Sequence, residues 1–231
     1  MQHLLLLHGA IGAKEQLKPL TENLKQFFSV HTLSFSGHGG EPLVETFSIE
    51  QFSIDVINYL QQNKIDKVNI FGYSMGGYVG LYLAKYYPEK INKVFTLATK
   101  FSWTPEAAQR EIKMLDAARI KEKIPAFAQQ LEKRHHPNDW KTILDKTAQM
   151  MIKMGDKNPL TLDDLETIEK SVLIGIGDKD TMVTLEETIN VYRKLKNSNL
   201  IVLPNTQHPV EKVNIQRLTQ EITIFFNTNI N

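Results

Sequence analysis

The sequence predicts an α/β fold: a doubly wound, mainly parallel sheet of about six strands with an inserted helical unit. Six short runs are almost continuously apolar, as strands buried on both faces of a parallel sheet are. The segments between most of them switch to a helical period. One interval, from about Lys100 to about Leu160, carries no strand pattern and is far longer than an ordinary connection, so it should be structured.

In chain order, the predicted strands are Leu4–Leu7, Val30–Phe35, Val68–Phe71, Val94–Ala98, Val172–Ile176 and Leu200–Leu203. Apolar stripes at Leu17, Leu20, Leu24 and Phe27, at Phe52, Val56 and Tyr59, and at Ile215, Leu218, Ile222 and Phe225 predict amphipathic helices. Ser48 with Gln51 and Thr184 with Glu187 read as capping boxes. In the strandless interval, Thr104-Pro105-Glu106, Pro125 and Asn138-Asp139 look like helix starts, with Gly155 ending the last helix. The expected division is a core of residues 1–100 and 161–231 with a helical cap over 101–160.

A chain of 231 residues suits one well-cored α/β domain. Charge is nearly balanced, 27 basic against 26 acidic residues, with no long like-charge block, so a nucleic-acid partner is not expected. There are no cysteines, which excludes disulfides, thiolate catalysis and thiolate metal sites. The opening Met1–Leu7 lacks a basic region and has only a short apolar run. No stretch approaches the length of a membrane span, and a cytoplasmic protein is the expectation.

The stretch Phe71-Gly72-Tyr73-Ser74-Met75-Gly76-Gly77-Tyr78-Val79-Gly80 places one serine among four glycines where a buried strand gives way to a helix. Gly72-x-Ser74-x-Gly76 is a nucleophile-elbow pattern, in which a sharp turn projects the serine and side chains two residues either side would clash. The plainer reading is a tight glycine turn with an incidental serine. Gly77 and Gly80 would let the helix pack close to the sheet, and its N-terminus favours a developing negative charge.

A serine nucleophile needs a base, and the base an orienting acid. His3 and His31 sit in strands and read as packed or edge histidines. Adjacent His135 and His136 diverge on a helix and are expected on the cap surface. His208 follows the last apolar run, in the loop Pro204–Pro209, at the sheet edge where α/β sites gather. The preceding strand ends in Gly175-Ile176-Gly177-Asp178-Lys179-Asp180, and spacing alone does not choose between the two aspartates. Gly175-x-Gly177 lacks the third glycine of a dinucleotide fingerprint.

Over essentially its whole length the sequence resembles the α/β-hydrolase superfamily. The order Ser74, Asp180, His208 is that family's order, and Gly177-Asp178-Lys179-Asp180-Thr181-Met182-Val183 resembles its acid motif with Asp180 as the acid. Leu7-His8-Gly9-Ala10 resembles the early His-Gly motif, and Ser36-Gly37-His38-Gly39 the Gly-His-Gly loop. The resemblance implies an oxyanion hole from the Ala10 and Met75 amides, with His8 and His38 as scaffold. It also implies a strand order of second, first, third, fourth, fifth, sixth, the family's two leading strands being absent. Ser34 stands where many relatives carry an acid.

The expected activity is hydrolysis of a small ester or related acyl substrate through an acyl-enzyme, with no cofactor and no metal. Trp103, Phe101 and Met151, with Phe127, Met150 and Met154, are candidate substrate-binding residues, although most could simply form the cap's own core. Lyase or C–C hydrolase chemistry on the same triad is the alternative, because Gly72–Gly77 also resembles the menaquinone-pathway synthase that eliminates pyruvate. That reaction needs pocket arginines, and Tyr78 stands where the synthase has one. A non-catalytic hydrolase-fold binding protein is the third reading.

Overall fold

The computed structural model describes residues 1–228. The chain opens with β1 (His3–Leu7), α1 (Lys18–Leu24), β2 (Ser29–Thr32), α2 (Ile49–Gln62), β3 (Val68–Tyr73), α3 (Met75–Tyr86) and β4 (Ile91–Leu97). Five helices follow before the next strand: α4 (Pro105–Ile112), α5 (Ala117–Lys123), α6 (Pro125–His135), α7 (Trp140–Asp156) and α8 (Leu162–Glu166). The chain then runs through β5 (Ser171–Gly177), α9 (Leu185–Lys194), β6 (Ser198–Leu203) and α10 (Ile215–Asn227). Among the described residues no helix is long and apolar enough to cross a membrane.

The six strands pair in parallel in the order β2-β1-β3-β4-β5-β6, the order expected above. Leu4 to Leu7 of β1 are wholly buried because helices cover both faces; each such leucine contributes about 1.5–3 kcal/mol of burial. Side chains of α1 and α10 pack on one face and those of α2, α3 and α9 on the other. Connections leave β1 and β3 toward opposite faces, so the topological switch lies between these strands, and a crevice forms at their C-terminal ends.

Local chemistry sets the helix starts. The Thr104, Asp116, Asp139 and Asn214 side chains accept backbone N–H groups at the first turns of α4, α5, α7 and α10. Thr184 and Glu187 form a reciprocal box at α9, as do Thr161 and Asp164 at α8. Ser48 caps α2, but only half of the expected box forms: the Gln51 side chain does not accept the Ser48 N–H and is turned to Asp55, its Nε2 donating to Oδ1 (3.0 Å).

Three further expectations are corrected. β2 ends at Thr32, not Phe35, because the following residues turn inward and Leu33 and Phe35 pack into the core. His135 is not on the surface but wholly buried, since α6 lays it against the loops after β1 and β2. Gly155 does not end α7 but lies inside its last turn, where α4 crosses; a Cβ there would stand 2.8 Å from the Thr104 carbonyl oxygen and 2.9 Å from the Ala108 Cβ.

Alanine at position 155 would gain about 1 kcal/mol of helix propensity, yet overpacking of a close crossing costs about 1–3 kcal/mol. Gly155→Ala is therefore expected to lower the urea midpoint. A raised midpoint would show that α4 and α7 separate freely.

Candidate active site

Ser74 joins β3 to α3 with φ 51° and ψ −118°, a conformation L-residues avoid. The surroundings hold it there. Its N–H donates to the Leu97 carbonyl (2.8 Å), and its carbonyl accepts the Thr99 hydroxyl (2.9 Å). A Cβ at Gly72 would fall on the Gly76 carbonyl, and one at Gly76 would stand 2.5 Å from the Leu7 carbonyl oxygen. The glycines thus answer to crowding at the turn. The Ser74 hydroxyl makes no hydrogen bond to another described residue and lines a cavity of about 590 Å³.

His208 lines the same cavity from the loop after β6. Its Nδ1 donates to Asp180 Oδ2 (2.8 Å), while Asp180 Oδ1 accepts the Met182 and Val183 amides (2.8 and 2.9 Å). Burial pushes the Asp180 carboxyl upward. The His208 hydrogen bond and the two amides together outweigh it, and the carboxyl lies below its ordinary value. Asp178 faces elsewhere: it accepts the Thr206 amide (2.9 Å) and so ties the loop after β5 to the loop carrying His208. Tyr73 adds a second tie, its hydroxyl donating to the His208 carbonyl (3.0 Å). No direct Ser74–His208 hydrogen bond forms among the described residues.

The Ala10 and Met75 backbones flank Ser74, one from the loop after β1 and the other from the first turn of α3. Neither amide has a protein acceptor among the described residues. His8 braces this loop. It accepts the Phe35 N–H at Nε2 (3.1 Å), which leaves the Nδ1 proton to donate to the Gly9 carbonyl (2.7 Å). Burial lowers the His8 pKa to about 3. His8, His38 and His135 form a wholly buried group, with ring centroids 5.3 Å apart for the first two and 5.7 Å for the last two. Burial, then the neighbouring His8, also holds His38 well below the ordinary histidine value.

The segment from α4 to α7 supplies the opposite wall, through Glu111 of α4, Met114 of the turn after it, Phe127 and Arg134 of α6 and Met151 of α7. Trp103 and Met151 border both the large cavity and a smaller void of about 40 Å³ beside Ser74, and Met150 and Met154 border the void. Phe101 borders neither. It packs on Tyr78, ring centroids 6.1 Å apart, and lines a separate cleft. The strand end turns it toward α3 and away from Ser74.

Sequence reasoning missed Thr99, Tyr73, Ile11 and Arg134. Tyr73 lies within the elbow itself, so its neighbourhood was readable, whereas Thr99 stands 25 residues beyond Ser74, just after β4. Nothing in the sequence carries Arg134 to the cavity. Among the described residues no group of three or more histidine or carboxylate side chains is arranged to hold a metal.

Because the Asp180 carboxyl titrates below its unfolded value near 3.9, its stabilisation is fully present above that value. It is lost as pH falls through the lower folded value. Wild type is expected to be more stable than Asp180→Asn at pH 7, the difference narrowing only below about pH 4. Urea titrations at several pH values check this; a difference independent of pH would refute it.

A family model described as alpha/beta hydrolase fold matches residues 2–135. A pimeloyl-[acyl-carrier protein] methyl ester esterase of Neisseria meningitidis is 28% identical over 223 residues, covering 88% of this chain and 85% of the relative. A 2-hydroxy-6-oxo-6-phenylhexa-2,4-dienoate hydrolase of Rhodococcus sp. strain RHA1 superposes with a TM-score of 0.83 at 19% identity, over 98% of this chain and 91% of that one. A thermophilic esterase from Thermogutta terrifontis gives 0.76 at 22% identity, over 98% and 89%. The structural likenesses speak for the fold, and the matched model spans more than half the sequence. The chain belongs to the α/β-hydrolase family.

Proposed function

We propose that this protein is a carboxylic-ester hydrolase in which Ser74 is the nucleophile, His208 the general base and Asp180 the acid that orients it. One observation carries the reading: a strained serine with an unengaged hydroxyl opens on a largely apolar cavity also faced by a histidine whose other nitrogen is bound to a buried carboxylate. The ester esterase relative supports ester as the bond attacked.

Ser74 Oγ attacks the ester carbonyl as His208 Nε2 takes its proton. Asp180 keeps the Nδ1 proton in place and stabilises the imidazolium. The carbonyl oxygen becomes an oxyanion held by the Ala10 and Met75 amides, each such donor worth roughly 3 kcal/mol of barrier. As the tetrahedral intermediate collapses, His208 returns the proton to the departing alcohol. Water, activated by the same imidazole, then releases the acid and regenerates Ser74. Water and the ester are the only reactants.

The helices between β4 and β5 act as a cap that shapes the acyl site. The walls at Trp103, Phe127, Met114 and Met151 suit an apolar acyl or aromatic group. The pyruvate-eliminating lyase reading stays second. Lys100 is paired with Glu111 (3.3 Å), and Arg134 donates to the Ile11 carbonyl. Neither is left as a dedicated clamp for an acidic substrate.

Ser74→Ala is expected to abolish hydrolysis of short p-nitrophenyl esters and labelling by a fluorophosphonate while leaving the melting curve unchanged; full activity in the purified variant would end this reading. Asp180→Asn should lower turnover by about 10⁴-fold. Met151→Trp narrows the void beside Ser74, so activity on long acyl chains should drop far more than on acetyl esters. Equal losses across a chain-length series would remove Met151 from the acyl site.

A further inference from the structure

The loop that carries Ala10 is a four-residue turn, closed by the Gly12 N–H donating to the Gly9 carbonyl (3.1 Å). Its third residue, Ile11, has φ +51°. A positive φ at that position ordinarily calls for glycine, and a β-branched residue there is strained. Something outside the turn must hold it.

The Ile11 carbonyl accepts two hydrogen bonds from the last turn of α6, from Arg134 Nη1 (3.0 Å) and His135 Nε2 (3.0 Å). The His135 proton is fixed on Nε2, because its Nδ1 accepts the Gly39 N–H (3.2 Å). Burial, only partly offset by the Ile11 bond, lowers the His135 pKa to about 4, so the ring is a neutral, single-tautomer donor near neutrality. Arg134 is half-buried, lines the cavity, and has no carboxylate within ion-pair distance among the described residues. Its observed partner is a peptide carbonyl one residue beyond Ala10.

We propose that Arg134 and His135 are positioning residues for the reaction: by gripping the Ile11 carbonyl they hold the strained Gly9–Gly12 turn in the form that presents the Ala10 amide to the oxyanion. The inference rests on the Ala10 amide being an oxyanion donor, as proposed above. It makes the cap helix a working part of the catalytic loop. Substrate would still bind without the grip, but the charge that develops only in the transition state would be less well met.

The test uses a neutral p-nitrophenyl ester and the purified full chain. Arg134→Met is expected to lower kcat about tenfold, the weight of one charge-assisted hydrogen bond, with KM within about twofold. Affinity for a trifluoromethyl ketone, which forms the oxyanion on Ser74, should fall in parallel. In an Ile11→Gly background, where the turn no longer needs holding, the same substitution should cost less than threefold. Should Arg134→Met fold poorly, Arg134→Gln, which keeps a neutral donor, carries the same comparison with a smaller expected loss. No loss of kcat, a loss confined to KM, or an equal loss with and without Ile11→Gly would overturn the proposal. Ser74→Ala runs alongside: if that variant keeps its activity, the serine mechanism itself has failed, which is a different result.

Discussion

At the first turn of α3, backbone from three segments occupies a space that side chains could not share. The Gly72 and Gly76 backbones meet across the turn, and Gly76 lies against the carbonyls of Leu7 and His8 at the end of β1. This crowding forces the Ser74 backbone into its strained angle, fixes where α3 begins, and brings the loop after β1 alongside the helix N-terminus. The switch point in strand order puts that contact at an open crevice. The strain is sustained by the buried packing of β1, β3 and β4 around it.

The other side of the crevice follows a different principle. Loops after β5 and β6 are held together by polar ties: Asp178 to the Thr206 amide and Asp180 to His208, with the Tyr73 hydroxyl bonded to the His208 carbonyl. Each tie spans distant sequence, and packing adds to them: the imidazole lies against the Tyr73 ring, centroids 5.6 Å apart, and Gly177 lets the Thr206 backbone come close.

Much of the core was readable because parallel strands buried on both faces leave unbroken apolar runs, and because Gly72-x-Ser74-x-Gly76 marks a steric need that few other backbones share. The helices between β4 and β5 were less readable. Their small apolar cluster around Leu131, Trp140 and Leu144 leaves many charged residues on short helices, and α5 and α8 are each too brief to show a period. Phe101 and His135 went astray for one reason. Sequence position says which element a side chain leaves from, and tertiary crossing decides which way it points. Arg134 and Ile11 illustrate the same limit, since a contact between residues 123 positions apart has no local signature.

The buried group of His8, His38 and His135 has a consequence for how the fold meets acid. All three rings are held neutral by burial, well below the value near 6.5 that each regains in the open chain. Between about pH 6 and pH 4, unfolding therefore takes up as many as three protons that the native state refuses, and each adds about 1.4 kcal/mol of lost stability per pH unit. Acidification therefore lowers the stability of the fold while most carboxylates are still ionised, through the buried histidines where the loops after β1 and β2 meet α6.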